Sequence, residues 1–233
     1  MFQLYIKKIG LIVFILIATI SFAQATEVKD LFIEGQDYTR LPDDMRKNPD
    51  IAQLLMDHSN QVQVLFFFSY GCHACEVFHT PFENWAAGQK SNKKLAIYRF
   101  PVQFHPQWAP LAKLFYTMQT LDKKGKMNNI IFDAIHKKNI KLWEEPVMTD
   151  FLVKNGFDSK QVTETFNSFN VNRLAKKADD ISKAYKIMET PEIVVNGPVS
   201  SYKLELAKVQ GSNDRFFKLL DYIVKRETKL LNG

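Results

Sequence analysis

The chain combines short continuous apolar runs with longer segments in which apolar residues recur every three or four positions. One continuous run rises from Gln61 and carries Leu65–Phe68 before it stops at Ser69–Gly71. A run that is apolar at nearly every position predicts a strand buried on both faces, as in a sheet covered by helices. The apolar residues that follow have helical spacing and predict one buried helix face: Val77, Phe78, Phe82 and Trp85.

A second strand is predicted at Leu95–Val102, and about eighty residues of helical pattern without a strand signal follow it. The predicted helical segments are Trp108–Leu121, Ile130–Ile135, one from Glu145–Pro146 to Gly156, one from Asp158 or Ser159 through Phe169, and Arg173–Met188. A strand pattern returns at Glu192–Gly197, and Tyr202–Leu206 is its expected hairpin partner. A helix opened by Ser212 ends the chain.

The segment before the first apolar strand is mixed in pattern. Asp37–Leu41 predicts an edge strand that ends at Pro42, and a short helix is expected after Asp50, its predicted N-cap. The whole order is therefore strand, helix, strand, helical insert, hairpin and helix. That order indicates an α/β fold with a helical insertion.

The first 25 residues have the pattern of an export signal. Lys7–Lys8 precede an apolar run at 9–20, and Ala23–Ala25 provides the small residues of a cleavage site. The alternative is an uncleaved membrane anchor, which would need about 20 apolar residues, and this run is shorter. We therefore expect a secretory signal peptide at 1–25 that is removed from the mature chain.

Composition and charge narrow the function classes. A hydrophobic content of 46% suits a well-filled globular core. Removing the signal with its two lysines lowers the formal net charge from +6 to +4, an ordinary value for a soluble chain of this length. The lysines are scattered and form no basic stripe with aromatic residues, which argues against nucleic-acid binding.

The only two cysteines of the chain, Cys72 and Cys75, have C-x-x-C spacing directly after the predicted strand. A helix that begins there has unpaired backbone N–H groups and a positive dipole end, and both favour a thiolate. A thiol of lowered pKa beside a second thiol suits disulfide exchange. A purely structural disulfide is the alternative in an oxidising compartment. So short a loop would constrain little of the unfolded chain, however, which favours a redox-active pair.

These elements resemble the thioredoxin fold, and the helical insert resembles the DsbA family of exported thiol:disulfide oxidoreductases. Three segments carry the resemblance: Phe67–Cys72 with its C-x-x-C motif, Pro101–Trp108 at the entrance to the insert, and Thr190–Pro191 ahead of Ile193–Gly197. The resemblance runs from about Leu31 to the C-terminus. It implies a thioredoxin-like domain at 26–105 and 189–233, with a helical insertion domain at 106–188.

The resemblance also implies roles for individual residues. Cys72 would be the exposed nucleophile and Cys75 its buried partner, with His73–Ala74 as the dipeptide between them. The bond before Pro191 would be cis. Thr190 would line a substrate groove, where its backbone could pair with a bound peptide as an added strand. No cofactor is implied besides the redox-active Cys72–Cys75 disulfide.

Two features depart from the family pattern. Family members often carry Pro and then His between the cysteines, whereas this chain has His73–Ala74. His73 could still stabilise a thiolate by charge or hydrogen bonding. The best-known members bury a Glu on the central strand and a Lys on the next, and the matching positions here are Phe66 and Ile97. This replacement leaves no buried carboxylate for the proton of Cys75, so water or another group must accept it.

The function implied by the resemblance is that of a periplasmic enzyme that introduces disulfides into unfolded or reduced exported proteins. A substrate thiolate would attack the Cys72–Cys75 disulfide, and a second substrate thiolate would resolve the mixed disulfide at Cys72. A quinone-linked membrane partner would reoxidise the enzyme, which we expect to be a monomer. Two alternatives stay open: a disulfide isomerase or reductase, and a holdase-like or metal-carrying binding protein with incidental cysteines.

The histidines near the motif could in principle be ligands of a metal ion. His79 could join Cys72, Cys75 and His73 as a ligand of zinc or copper. The sequence has no second cysteine cluster, so no metal site is expected and His79 is predicted to face solvent.

The remaining candidates have simple structural explanations. His58 and His136 are predicted at the surface, and nothing in the sequence assigns chemistry to His105. Three apolar residues of the insert are predicted in the core, although some of them could line a groove for unfolded substrates: Met118, Phe166 and Phe169.

Overall fold

The structure is a computed structural model that describes residues 32–57, 59–122 and 124–231. The predicted signal peptide at 1–25 and the surface position predicted for His58 lie outside these residues. Within the described ranges, no helix combines the length and the apolar character that crossing a bilayer requires.

The strands form one mixed sheet with the order β1-β5-β4-β2-β3. Their bounds are β1 Thr39–Arg40, β2 Val62–Phe68, β3 Leu95–Pro101, β4 Glu192–Asn196 and β5 Ser201–Glu205. β2 runs parallel to β3 and antiparallel to β4, and β5 pairs antiparallel with both β4 and β1. Because parallel neighbours need a crossover connection, the helix that starts at the cysteine motif joins β2 to β3.

The described helices follow the predicted order. Their bounds are α1 Pro49–Asp57, α2 His73–Gly88, α3 Trp108–Leu121, α4 Met127–His136, α5 Glu145–Lys154, α6 Ser159–Phe166, α7 Phe169–Ala184 and α8 Asn213–Leu230. Two short 3-10 helices occupy Asp43–Lys47 and Leu206–Val209. Helices α3 to α7 all lie between β3 and β4 in the sequence, as the predicted helical insert requires.

The central strand β2 is buried along its whole length, as its continuous apolar run predicts. Alternate side chains of a strand point to opposite faces of the sheet. Phe66 packs against Phe78 and Phe82 of α2, with ring centroids 5.6 and 4.3 Å apart. Its neighbour Phe67 packs on the other face against Tyr185, at 5.9 Å. Helical segments therefore cover both faces of the sheet at β2.

Two helix starts differ from the sequence prediction. α1 begins at Pro49, and the side chain of Asn48 accepts a hydrogen bond from the backbone N–H of Asp50 at 2.9 Å. The prediction of Asp50 as the N-cap is therefore wrong. The single helix predicted through Phe169 is divided, because the Ser168 side chain accepts from the N–H of Val171 and caps a new helix there.

The predicted core of the insert is correct in two of three positions. Met118 and Phe166 are buried. Phe169 is 82% exposed, because it is the first residue of α7 and lies outside the packed face of that helix. The core prediction for Phe169 is wrong.

Candidate functional site

The backbone between β2 and α2 turns sharply and places Cys72 at the helix start. The N–H of Cys72 donates to the Ser69 carbonyl at 3.1 Å, and the N–H of Gly71 donates to Ser69 Oγ at 3.1 Å. Trp108 lies directly over Gly71, since a Cβ there would come 2.3 Å from Trp108 Nε1. Only glycine fits this position without moving the indole.

Cys72 is the N-cap of α2. Its backbone is extended, with φ −94° and ψ 116°, and its Sγ accepts a hydrogen bond from the N–H of Cys75 at 3.3 Å. The sulfur thus satisfies one of the N–H groups that a helix leaves unpaired at its first turn. The sequence prediction that the first sulfur lies at the start of a helix is confirmed.

The two thiols differ in exposure. Both cysteines are free thiols; Cys72 is partly exposed, whereas Cys75 is completely buried. The peptide bond between Thr190 and Pro191 is cis. The loop before β4 brings the carbonyl oxygen of Thr190 to 3.4 Å from Cys72 Sγ, where the thiol donates to it. Thr190 therefore adjoins the partly exposed sulfur, although it is 118 residues away in sequence, and Pro191 follows it directly.

The surroundings shift the two thiol pKa values in opposite directions. A hydrogen bond from the Cys75 thiol lowers the pKa of Cys72 from the ordinary 9.0 to about 6, and the Thr190 hydroxyl and the N–H groups of Cys75 and Ala74 add to the effect. Burial opposes this lowering but does not outweigh it. For Cys75, burial is the main cause of a pKa raised well above its usual value. Cys72 is thus suited to be a thiolate and Cys75 a thiol at neutral pH.

A second histidine adjoins the motif, and no sequence pattern predicts this contact. The ring of His136, at the end of α4, lies 5.6 Å from the ring of His73, and its Nε2 is 2.7 Å from the carbonyl oxygen of Tyr70. His136 is therefore partly exposed, as its surface prediction requires, and its ring also contacts the turn at Ser69–Cys72. His73 is exposed, and its Nδ1 lies 3.5 Å from Glu76 Oε2.

The buried face of α2 includes a histidine. His79 is only 5% exposed, and its ring packs against Phe132 of α4 with a centroid distance of 5.0 Å. Val77, in contrast, is 58% exposed. The predictions that His79 faces solvent and that Val77 belongs to the buried face are both wrong. The buried positions of α2 are Cys75, Phe78, His79, Phe82 and Ala86, a spacing that could have identified His79 from the sequence.

The described residues do not group the cysteines with the histidines as a metal site would require. Within these residues, only Glu189, Glu192 and Glu205 bring three potential ligand atoms within 4.8 Å of one another. That group contains a buried carboxylate already ion-paired with Lys203, at 2.9 Å from Glu192.

A charged pair lies on the sheet face that α2 covers. Phe66 is the cross-strand partner of Arg99, while Ile97 is the partner of Val64. Arg99 forms two hydrogen bonds with Glu83 of α2, at 2.7 and 2.6 Å. Both side chains are partly exposed, at 24% and 34%, so this pair is not a buried carboxylate under Cys75.

A cleft of about 390 Å³ opens beside the turn at Ser69–Cys72. Its walls include Trp108, Leu111, Ile135 and Trp143, and Gly71 forms part of its edge. The three insert residues that could have lined a groove do not take part in this cleft, since Met118 and Phe166 are buried and Phe169 is exposed outside its lining. The aromatic residues of this cleft are the apolar surface next to Cys72.

The comparisons with known proteins agree on one family. The family model of the DSBA-like thioredoxin domain matches residues 95–224, more than half of the chain. A thiol:disulfide interchange protein DsbA of Azotobacter vinelandii is 30% identical over 217 residues, which are 91% of this chain and 94% of the relative. A DsbA of Pseudomonas aeruginosa is 27% identical over 206 residues, 88% of this chain and 90% of the relative.

The solved structures show the same likeness. The crystal structure of Pseudomonas aeruginosa DsbA superposes with a TM-score of 0.73 at 25% identity, covering 88% of this chain and 99% of that chain. The predicted fold class and the predicted family are thereby confirmed. The chain belongs to the DsbA family of thiol:disulfide oxidoreductases and has a thioredoxin-like α/β fold with a helical insertion.

Proposed function

We propose that this protein oxidises thiol pairs in exported proteins, with Cys72 as the sulfur that exchanges with substrate and Cys75 as its resolving partner. The observation that carries the proposal is the contrast between the two thiols, one partly exposed with a pKa of about 6, the other buried with a raised pKa. Only the exposed sulfur of such a pair can reach a protein substrate, and only it is a good leaving thiolate.

The exchange proceeds in two displacement steps. A substrate thiolate attacks Sγ of Cys72 in the oxidised enzyme. This attack forms a mixed disulfide and releases the sulfur of Cys75, which takes up one proton. A second substrate thiolate then attacks the substrate sulfur of the mixed disulfide and expels Cys72 as a thiolate. The substrate has lost two electrons and gained a disulfide, and the enzyme is left reduced.

The stabilised thiolate sets the direction of electron flow. Hydrogen bonds to the Cys72 thiolate stabilise the reduced enzyme. They do not stabilise the disulfide form in the same way, because that form has no thiolate. The reduced form is thus favoured, which makes the disulfide a strong oxidant. This reasoning supports an oxidase and disfavours the reductase alternative.

Substrate binding involves the loop that carries the cis bond. Thr190, which precedes the cis bond to Pro191, adjoins Cys72, and the edge of backbone at Thr190 can pair with an extended segment of an unfolded protein. The cleft beside Gly71 offers apolar walls for a substrate side chain. His73–Ala74 completes the rim on the helix side, where both residues are exposed.

The cellular setting of the proposal rests on the relatives and on the sequence. The enzyme acts in the periplasm after removal of the signal peptide at 1–25, as a monomer without a cofactor other than the Cys72–Cys75 disulfide. A quinone-linked membrane protein reoxidises it. The thioredoxin-like domain comprises 26–105 and 189–233, and 106–188 forms the helical insertion domain, in keeping with the position of α3 to α7 between β3 and β4.

The test is an oxidative refolding assay with a fully reduced, unfolded protein that needs disulfides for activity. The oxidised wild type should restore that activity with one disulfide formed per enzyme, whereas Cys72→Ala and Cys75→Ala, neither of which can form the Cys72–Cys75 disulfide, should both be inactive. A substrate with scrambled disulfides, given to the reduced enzyme, measures isomerase activity separately. If Cys72→Ala still promotes refolding, the cysteines are incidental and a holdase-like function replaces the proposal.

A further inference from the structure

We propose that His79 accepts the proton that Cys75 loses when the enzyme is reoxidised, and returns it when the disulfide is reduced. This inference rests on the proposed roles of Cys72 and Cys75. It answers the question that the apolar Phe66 raises, namely which group serves the buried thiol in place of a carboxylate.

Helix geometry places the imidazole next to the turn that holds Cys75. Residues four apart lie on one face of a helix, about 5–6 Å between Cβ atoms, and helical side chains lean towards the N-terminus. The Cα–Cβ bond of His79 is therefore tilted towards the helical turn that holds Cys75. Both residues are buried, at 5% and 0% exposure, so bulk water does not separate them.

The charges around His79 suit a proton acceptor. Its Nδ1 lies 4.0 Å from Glu83 Oε1 on the same helix, and Arg99 of β3 holds that carboxylate. The residue of α4 that packs against the imidazole ring is Phe132, which is uncharged. Burial lowers the pKa of His79, and Arg99 acts in the same direction, while Glu83 opposes both. The ring is thus neutral at pH 7 and able to take a proton, and Glu83 stabilises the imidazolium that results.

A polar cleft of about 580 Å³ connects this histidine to solvent. His79, Glu83 and Arg99 form one wall, and the partial exposure of the latter two side chains shows that the cleft is open to water. Asp122 and Lys124 are the other charged residues of its lining. A proton taken from Cys75 can therefore leave His79 through water in this cleft.

The step balances without an added reagent beyond the oxidising disulfide. The Cys72 thiolate attacks a partner disulfide and releases the first partner thiolate, which leaves a mixed disulfide at Cys72. Cys75 transfers its proton to His79, its sulfur attacks Sγ of Cys72, and the second partner thiolate leaves. The enzyme has lost two electrons, the partner disulfide has gained them, and the proton resides on His79 until it passes to water.

An aromatic disulfide, dithiobis(nitrobenzoate), separates the two steps in a rapid-mixing experiment on the reduced full-length protein. The first equivalent of thionitrobenzoate reports the attack by Cys72 and depends on reagent concentration. The second equivalent reports the attack by Cys75, and its rate does not depend on reagent concentration. In the wild type the second rate should stay nearly constant from about pH 6.5 to about pH 8, because transfer to His79 within the site is independent of bulk pH in that range.

His79→Gln and His79→Glu are matched variants, since they have the same shape and differ in one titratable group. His79→Gln should slow the second step on the order of 100-fold near pH 6.5, since a positioned base contributes about 100-fold or more. In this variant the rate of the second step should rise tenfold per pH unit. His79→Glu should be faster than His79→Gln at every pH. His105→Gln, in the loop before α3, should match the wild type. The first step should be unchanged in all variants.

The outcomes distinguish this inference from the function on which it rests. A wild-type second rate in His79→Gln, or equal rates in His79→Gln and His79→Glu, would overturn the role of His79 while leaving Cys72 as the nucleophile. If the wild type shows no fast first step, that result would instead contradict the proposed function. If the variants do not fold, as judged by circular dichroism, the wild-type profile decides, because a tenfold rise per pH unit in its second step excludes an internal acceptor.

Discussion

The hydrogen bond from Cys75 is the largest cause of the low pKa of Cys72, so removing it is the most informative perturbation of the site. In Cys75→Ala the donor is lost, while the N–H groups at the start of α2 remain. We expect the pKa of Cys72 to rise above the wild-type value of about 6. In Cys75→Ser a hydroxyl donor occupies the same position, and the pKa should stay low.

The size of the effect follows from the two pKa values. A thiol with a pKa of about 6 is about 90% thiolate at pH 7, whereas a thiol with the ordinary value of 9.0 is about 1% thiolate. The difference of about three pKa units corresponds to about 4 kcal/mol of preferential stabilisation of the thiolate. For a two-electron couple this equals about 90 mV, enough to separate an oxidising from a reducing member of the superfamily.

The assay is the rate of alkylation of Cys72 by iodoacetamide as a function of pH, checked by the ultraviolet absorbance of the thiolate. Cys72→Ser provides the baseline, because it lacks the reactive sulfur and retains Cys75. A wild-type pKa of about 8 or higher would refute the reasoning. So would a Cys75→Ala variant whose profile coincides with that of the wild type.

Three further predictions follow from the site and the core. Gly71→Ala places a Cβ against Trp108, and thermal denaturation should show a loss of about 1–3 kcal/mol, with a slower reaction at Cys72; an unchanged Tm and rate would contradict the close contact. Phe66→Ala leaves a cavity under α2 and should lower the free energy of unfolding by about 3–5 kcal/mol in a urea titration, a loss that a well-filled Phe66→Leu should largely avoid. The reduced enzyme should gain stability with rising pH between about 6 and 9.0, because in this range Cys72 is a thiolate in the folded state and a thiol in the unfolded state. At pH 7 the gain in the free energy of unfolding over Cys72→Ser is about 1.4 kcal/mol, and it is lost below pH 6. A difference between the two proteins that does not change with pH would contradict this prediction.

The fold was predictable because its signals are local. The continuous apolar run of β2 gave a strand buried on both faces, and the C-x-x-C motif at its end marked the start of a helix. The strand pattern after the insert gave the hairpin of β4 and β5. Each of these signals depends on residues that are close in sequence, and the order of the elements then restricts the topology.

The errors occurred where distant segments decide the outcome. Phe169 is apolar yet lies at the exposed start of α7, because α6 ends at Phe166 and Ser168 caps a new helix whose packed face does not include Phe169. His79 shares the helical spacing of the buried α2 residues, but its polar side chain is buried only because α4 packs Phe132 over that part of α2. Propensity assigns a residue to a helix, but the face that a second helix covers is set by tertiary packing.

The site was half predictable for the same reason. Cys72 and Cys75 were evident from their spacing, and Thr190 and Pro191 were indicated by the resemblance. His136 reaches the active-site turn from the end of α4, and no pattern near it in sequence records that contact. Arg99 became the cross-strand partner of Phe66 through the register of β2 and β3, which a single sequence does not specify.

The central claim is that the Cys72–Cys75 disulfide is an oxidant because the reduced form is stabilised by the Cys72 thiolate. Its most direct test is the redox equilibrium of the purified protein with glutathione buffers, read by trapping free thiols at each ratio. The account predicts a midpoint potential between about −120 and about −180 mV, the range of oxidising members of the superfamily. A midpoint near about −270 mV, typical of reducing thioredoxins, would contradict it.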